Sequence, residues 1–193
     1  MEAVKLFAIS LFSTALLSFV PVKKKYIVID AGHGGNDAGV TFDGMTEKEI
    51  VLNIAKQIHE INESQEKYEV FLTRAADEYK TLEERTDKIN ELNPVMVISL
   101  HLNGTPEKDT QKQGYELFIQ DSGDSKKIAD KISQKLGNCS IAERNLHILR
   151  ESKSPAVLIE LGYLNNKKDR TYLSSEQGQK EIAQKFVDFF NEY

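Results

Sequence analysis

The sequence predicts a single α/β domain with three layers around a central mixed, mostly parallel sheet of about six strands. Apolar, β-branched runs alternate with amphipathic stretches from Tyr26 to the C-terminus, which is the pattern of an α/β fold. The length of 193 residues fits one domain. No Pro-rich linker, fixed-period repeat or low-complexity tract divides the sequence. We therefore expect one continuous folded unit.

Six segments have the composition of strands, and three of them are apolar without alternation, as expected for central strands covered on both faces. The strand candidates are residues 26–30, 68–73, 95–100, 114–119, 146–149 and 157–161. The helix candidates are residues 46–63, 81–92, 124–136 and 175–191. The second helix opens with Thr81-Leu82-Glu83-Glu84, which can form a capping box.

Residues 1–22 are predicted to be a signal peptide or an N-terminal membrane tether. Residues 6–20 carry no charge and are shorter than the ~20 residues that a membrane-spanning helix needs. Glu2 reduces the positive charge that normally begins a signal peptide, and no clean Ala-x-Ala cleavage site precedes Lys23. An uncleaved membrane tether therefore stays an alternative. Cys139, the only cysteine, does not follow the apolar run, and it cannot form an internal disulfide. We expect an exported, periplasmic or cell-wall protein.

The net charge argues against nucleic acid as a partner. The formal charge is −5 and the pI is about 5.5, whereas a nucleic-acid binder normally presents a basic face. The densest basic cluster is residues 23–25, at the expected start of the folded part. We expect a monomer without a stable membrane domain beyond the N-terminal tether.

Polar side chains follow the three central strand candidates. His33, His101 and Glu160 come shortly after the apolar runs 26–29, 95–98 and 157–159 of these candidates. Ligands of open α/β sheets bind beyond the carboxyl ends of the strands. If these strands are parallel, the three side chains lie at one edge. An α-helix turns by about 100° per residue, which places Glu47 on the same side of its helix as the apolar stripe. A buried carboxylate there requires a cation or a donor, although a first-turn glutamate can also simply complement the helix dipole.

Two imidazoles and a carboxylate would give a metal ion three protein ligands and one open position. The ligand types favour Zn²⁺, and Fe(II) remains an alternative. Glu160 in a partly dry pocket would suit a proton shuttle, and a salt bridge to Arg74 or Arg85 is the alternative. The glycines around His33 lack the Lys-Ser/Thr of a phosphate-binding loop and the dinucleotide spacing. His59 and His147 are interpreted as structural or surface residues.

The segment from Asp30 to Gly39, DAGHGGNDAG, followed by Glu47 to Ala55, EKEIVLNIA, resembles the opening of the zinc-dependent N-acetylmuramoyl-L-alanine amidases of the Amidase_3 family. Later blocks agree in order, and the resemblance covers residues 26–193. These blocks are LTR at 72–74, LEER at 82–85, SLHLN at 99–103 and PAVLIELGYLNN at 155–166.

The resemblance implies a zinc amidase catalytic domain over residues 26–193, with a phosphorylase/hydrolase-like fold of the zinc amidase/exopeptidase type. It implies a Zn²⁺ ion held by His33, Glu47 and His101, and Glu160 as the general acid/base. The implied enzyme is a peptidoglycan hydrolase that cleaves the amide between N-acetylmuramic acid and the L-alanine of the stem peptide with zinc-activated water. Arg74 and Asn103 are candidate substrate-binding residues, and structural hydrogen bonding is the alternative for both.

Two departures from the family carry expectations of their own. Only residues 102–113 separate His101 from the next strand candidate, which leaves no room for the helical plug of division-associated members, so we expect an unplugged site. The sequence shows no appended wall-binding repeat, so targeting is expected to come from the domain surface, a tether or a partner. A zinc peptidase and an inactive wall-binding module remain the alternative functions.

Overall fold

The structure is a computed structural model that describes residues 25–120, 123–137 and 139–193. The predicted signal peptide or tether at residues 1–22 lies outside these residues. Among the described helices, none combines the length and apolarity that crossing a membrane requires.

A six-stranded sheet forms the centre of the fold. Its strands are β1 (Lys25–Ala31), β4 (Tyr68–Leu72), β5 (Met96–Asn103), β6 (Tyr115–Ile119), β7 (Cys139–Glu143) and β8 (Ala156–Tyr163). The order is β4-β1-β5-β8-β6-β7, in which the first four strands are parallel, while β6 pairs antiparallel with β8 and parallel with β7. A separate hairpin consists of β2 (Thr41–Phe42) and β3 (Met45–Thr46). The predicted mixed, mostly parallel sheet is therefore confirmed.

Helices cover both faces of this sheet. They are α1 (Glu47–Asn62), α2 (Leu82–Leu92), α3 (Gly123–Leu136), α4 (His147–Glu151), α5 (Lys167–Leu173) and α6 (Glu176–Glu192). The capping box of α2 forms as predicted, because Thr81 Oγ1 accepts from Glu84 N and Thr81 N donates to Glu84 Oε2. Side chains of α1, α3, α5 and α6 pack into the larger core on one face, and those of α2 and α4 into a smaller core on the other. This arrangement is the predicted three-layer fold.

The prediction of a strand at residues 146–149 is wrong, because this segment enters the short helix α4. Four residues without a clear period do not distinguish a strand from a helical turn, and here Ile148 and Leu149 both pack into the smaller core. The sixth strand is β7 instead. It is an edge strand with Ser140 and Glu143 exposed, so it lacks the continuous apolar run that identified the central strands.

A buried ion pair fixes the ends of several elements below the candidate site. Asp30 is 2% exposed and its Oδ1 accepts from Arg85 Nη1 at 2.8 Å. Thr73 and Ser99 donate to the same carboxylate. Burial alone would raise the pKa of Asp30, but the Arg85 charge and these hydrogen bonds hold the pKa below its usual range. The network joins the ends of β1, β4 and β5 to α2.

Asp30→Ala should destabilise the fold by about 3–5 kcal/mol, because it leaves the Arg85 guanidinium buried without its charge partner. The free energy of unfolding in urea measures this loss. Asp87→Ala is the control. Asp87 is exposed on α2, the helix that carries Arg85, and its substitution should change stability by no more than about 0.5 kcal/mol.

Because the pKa of Asp30 is lowered on folding, its stabilising contribution should be complete above about pH 4 and should decline as the pH falls through the folded-state pKa. Equal unfolding free energies for Asp30→Ala and Asp87→Ala would contradict the role assigned to the ion pair.

Candidate metal centre

Three predicted ligands converge at the carboxyl edge of the sheet. His33 lies in the loop after β1, Glu47 is the first residue of α1, and His101 lies on β5. One ligand atom from each lies within 4.8 Å of the other two. Strands β1, β5 and β8 are parallel, so their carboxyl ends meet at one edge of the sheet. The parallel order is therefore what brings residues distant in sequence together.

The Glu47 carboxylate lies at the centre of this cluster and is 2% exposed. Its Oε1 is 3.0 Å from His33 Nε2 and 2.9 Å from His101 Nδ1. Backbone N–H groups of Leu102 and Val40 donate to Oε1 and Oε2. Burial raises the pKa of Glu47, but the hydrogen bonds and charges of His101 and His33 outweigh burial and lower the pKa to about 2. The carboxylate is thus held ionised beside two nitrogen ligands.

The imidazole of His33 is oriented from both sides. Burial lowers its pKa, but the hydrogen bonds and charges of Glu47 and Asp37 prevail and raise the pKa to about 9. Asp37 Oδ2 lies 2.9 Å from Nδ1, which directs Nε2 towards Glu47. The backbone of His33 has φ +60°, which is uncommon for a residue with a side chain, and Arg85 donates to its carbonyl oxygen. The two carboxylates therefore stabilise positive charge on the His33 ring.

Two glycines leave the space that the ligand side chains occupy. A Cβ at Gly32 would lie 2.3 Å from His101 Cε1, and a Cβ at Gly39 would lie 2.4 Å from Glu47 Oε2. Gly39 also has φ +64°, where any other residue is strained. The ligand types, the buried carboxylate and this close fit all match a divalent cation such as Zn²⁺.

Glu160 lies beside this cluster in a row of ionisable side chains on adjacent strands. In the strand register it stands between His101 on β5 and Glu116 on β6. Its Oε2 is buried and has no hydrogen-bond partner among the described residues. Burial, together with the negative charges of Glu47 and Glu116, raises its pKa to about 7 against the opposing effect of His101 and His33. Among the described residues no salt bridge joins Glu160 to Arg74 or Arg85, because Arg85 pairs with Asp30 and Arg74 donates to backbone carbonyl oxygens.

Arg74 supports the loop that carries His33. It is 1% exposed, and its guanidinium donates to the carbonyl oxygens of Ala31, Gly32 and Lys48 at 2.7–2.9 Å and of Ala76 at 3.2 Å. A side chain enclosed in this way has no surface to offer a substrate. Of the two interpretations of Arg74, the structure favours the structural donor.

Asn103 is partly exposed and close to Glu116. Its Nδ2 donates to Glu116 Oε2 at 3.1 Å, and Tyr163 donates from its hydroxyl to Glu116 Oε1 at 2.8 Å. Glu116 is not among the site residues predicted from the sequence. Its strand alternation relative to buried Leu117 was the available signal, because it places Glu116 on the opposite sheet face from that core residue.

The connection between β5 and β6, residues 104–114, contains no helix, in agreement with the predicted unplugged site. Asn165 and Asn166 hold this loop. Asn165 Nδ2 donates to Thr105 and Glu107, and Asn166 Nδ2 donates to the carbonyl of Thr110. A crevice of about 380 Å³ opens beside His33 and His101.

The other histidines occupy different places. His59 Nδ1 bonds to the carbonyl of Val70 at 3.0 Å, which matches its structural interpretation. His147 borders the crevice at the start of α4, and its Nε2 is buried without a partner among the described residues. Neither joins the ligand cluster found there.

Fold and site together define the class of the protein: an α/β enzyme whose candidate centre combines three possible metal ligands with a partly buried acid. The chain belongs to the Amidase_3 family, whose description is N-acetylmuramoyl-L-alanine amidase and whose pattern matches residues 27–191. It is thus an N-acetylmuramoyl-L-alanine amidase by family.

Solved structures of related enzymes share this fold. The catalytic domain of the amidase CwlV from Bacillus (Paenibacillus) polymyxa var. colistinus is 33% identical, with a TM-score of 0.82 and coverage of 88% of this chain and 97% of that chain. The N-acetylmuramoyl-L-alanine amidase from Clostridium difficile 630 is 28% identical, with a TM-score of 0.84 and coverage of 89% and 97%.

A curated relative is the probable cell wall amidase LytH of Staphylococcus epidermidis. It is 30% identical over 184 residues, which is 92% of this chain and 61% of LytH. This chain therefore spans about three-fifths of that relative.

Gly39→Ala should weaken metal binding by about tenfold or more, because the added methyl group would collide with Glu47 and His33. Metal content after dialysis against a graded chelator measures the effect. Gly44→Ala is the matched control: Gly44 also has positive φ, but a Cβ there meets nothing within 4 Å.

The control substitution should cost only the backbone strain of about 1–2 kcal/mol in stability and should keep the metal. Equal metal loss in the two variants would attribute the effect to backbone strain and contradict the close fit at Gly39.

Proposed function

We propose that the protein is a zinc-dependent peptidoglycan hydrolase that cleaves the amide between N-acetylmuramic acid and the L-alanine of the stem peptide. The observation that carries this proposal is the convergence of His33, Glu47 and His101 next to the partly buried acid Glu160. His33, Glu47 and His101 would hold the ion. When bound, zinc polarises a carbonyl and lowers the pKa of water to about 7.

Glu160 acts as the general base and then as the general acid. It takes a proton from the attacking water, whose oxygen forms a bond to the carbonyl carbon, and it delivers a proton to the alanine nitrogen as the C–N bond breaks. A pKa raised to about 7 supports both steps near neutral pH, because each protonation state is then accessible. Asn103, partly exposed near Glu116, is the proposed substrate contact, whereas Arg74 is not.

The proposed site of action is the cell wall or periplasm. The family and the similarity to a probable cell wall amidase support this location, which requires export. We propose residues 1–22 as the export signal or tether, residues 26–193 as the catalytic domain, and a monomer as the active form.

Digestion of purified peptidoglycan tests the bond that is cleaved. An amidase releases intact stem peptides with a new L-alanine amine. Shortened peptides would indicate the alternative zinc peptidase. Binding to peptidoglycan without metal-dependent turnover would indicate the inactive wall-binding module, and elemental analysis of the active protein distinguishes zinc from iron.

Glu160→Gln should keep the metal and lose about 100- to 10,000-fold in turnover rate, because it removes the proton carrier but no ligand. His33→Ala and His101→Ala should lose the metal together with activity. Metal content and turnover, measured on the same preparations, check both expectations. Loss of metal in Glu160→Gln equal to that in the histidine variants would show that Glu160 is a ligand.

Glu116→Gln should move the acidic limb of the pH–activity profile to lower pH. Burial and neighbouring negative charges raise the pKa of Glu160, and this substitution removes one of those charges. Activity needs the Glu160 carboxylate, so it declines as the pH falls through that pKa and should survive to lower pH in the variant. The pH dependence of kcat/KM measures the shift.

Glu143→Gln, at an exposed glutamate on β7, is the control for this measurement and should leave the profile in place. A limb that stays put in Glu116→Gln, or that moves equally in the control, would contradict the coupling between Glu116 and Glu160.

A further inference from the structure

Two exposed apolar side chains border the crevice of the candidate centre. Tyr79 and Leu82 are each 53% exposed, and both line the same crevice as His33 and His101. Within the described residues, these two are the large apolar side chains that are most open to solvent. Exposed apolar side chains that adjoin a crevice commonly mark a binding surface.

The loop that carries Tyr79 is fixed to the loop that carries His33. Gly35 N donates to Asp77 Oδ1 at 2.8 Å. A Cβ at Gly34 would lie 2.2 Å from the carbonyl oxygen of Glu78, and a Cβ at Gly35 would lie 2.7 Å from Tyr79 N. The hydrogen bond joins the two loops, and the two glycines let their backbones pack closely, so the exposure of Tyr79 belongs to a defined surface next to the candidate metal ligands.

The two lysines near the rim, on α1 and on the loop that carries Tyr79, are each paired with an acid of that loop. Lys80 Nζ lies 3.2 Å from Glu78 Oε2, and Lys48 Nζ lies 2.7 Å from Asp77 Oδ2. The rim therefore presents an aromatic face, an aliphatic side chain and a phenolic hydroxyl, and the lysines near it are paired with acids. An uncharged ligand with an apolar face and hydroxyl groups fits this surface better than an acidic peptide does.

The two parts of peptidoglycan differ in the same chemical respect. The glycan strand consists of pyranose rings with an apolar C–H face and a hydroxyl-bearing edge, and it has no charge once the lactyl carboxyl is joined to the peptide. The stem peptide carries carboxylates. The crevice of about 380 Å³ suits the small group around the reacting amide, so a strand of several sugars must extend over its rim.

We propose that Tyr79 and Leu82 form a glycan-binding subsite that holds the sugar strand of peptidoglycan at the rim of the crevice. A sugar ring stacks with its C–H face on the Tyr79 ring and contacts Leu82. The subsite rests on the proposed function for its substrate, and it would position the strand so that the lactyl amide reaches the metal ligands.

Binding to peptide-free glycan strands tests the subsite without any turnover. The wild-type full chain should bind these strands. Tyr79→Ala should raise the dissociation constant about tenfold, which is the loss of affinity expected for one aromatic stacking contact. Leu82→Ala should weaken it less, and Tyr79→Phe should retain most of the affinity because the ring remains. Glu83→Ala, exposed in the same segment, is the control.

Kinetics with defined substrates then identify the part of peptidoglycan that is bound. The substrates carry one stem peptide on a single N-acetylmuramic acid, on a disaccharide or on a tetrasaccharide. For the wild type, KM should fall as the glycan lengthens. Tyr79→Ala should remove that dependence, with kcat within about twofold because the metal ligands are unchanged.

The subsite would be overturned by unchanged glycan affinity in Tyr79→Ala or by loss of metal in Tyr79→Ala. It would equally be overturned by a KM effect that follows the length of the stem peptide. A KM increase in Lys80→Ala equal to that in Tyr79→Ala would also overturn it, because it would show recognition of charge. Wild-type protein that binds glycan but cleaves no muropeptide would refute the proposed function while leaving the subsite in place.

Discussion

The buried carboxylate of Glu47 is the constraint on which the site depends. A carboxylate removed from water is costly unless its charge is compensated and its oxygens accept hydrogen bonds. Here two imidazoles approach Oε1, and two backbone N–H groups complete the set. Those backbone groups belong to Val40 and Leu102, so the burial of one side chain fixes the positions of the loop after β1, the start of α1 and the end of β5. Side chains elsewhere maintain that geometry.

Much of this arrangement could be predicted from the sequence because the relevant signals are local. Continuous apolar runs identified β1, β5 and β8 as central strands, and the polar residue after each run identified the edge at which they meet. The position of Glu47 on the apolar side of α1 indicated its burial. Each inference required only the period of a strand or a helix.

The remainder depends on contacts between segments that no local pattern encodes. Arg74 and Arg85 both follow β4. The guanidinium of Arg74 is buried among backbone carbonyl oxygens, whereas that of Arg85 binds Asp30, which lies 55 positions earlier in the sequence. Strand β7 lies at the edge of the sheet, where it is partly exposed, and it therefore lacks a continuous apolar run. The apolar segment that begins α4 was predicted as a strand in its place. Glu116 became relevant only once the antiparallel register set it beside Glu160.

Two glutamates of the same chemical type thus acquire opposite properties from their surroundings. Glu47 is surrounded by donors and imidazoles, which lower its pKa to about 2 and keep the carboxylate ionised at neutral pH, as the proposed binding of a cation requires. Glu160 has one oxygen that is buried without a hydrogen-bond partner among the described residues. Burial and the neighbouring carboxylates raise its pKa to about 7. A group that exchanges its proton near neutral pH can serve in turn as base and acid. The fold thus separates the two proposed roles, because it supplies hydrogen-bond donors to Glu47, whereas Glu160 Oε2 has none among the described residues.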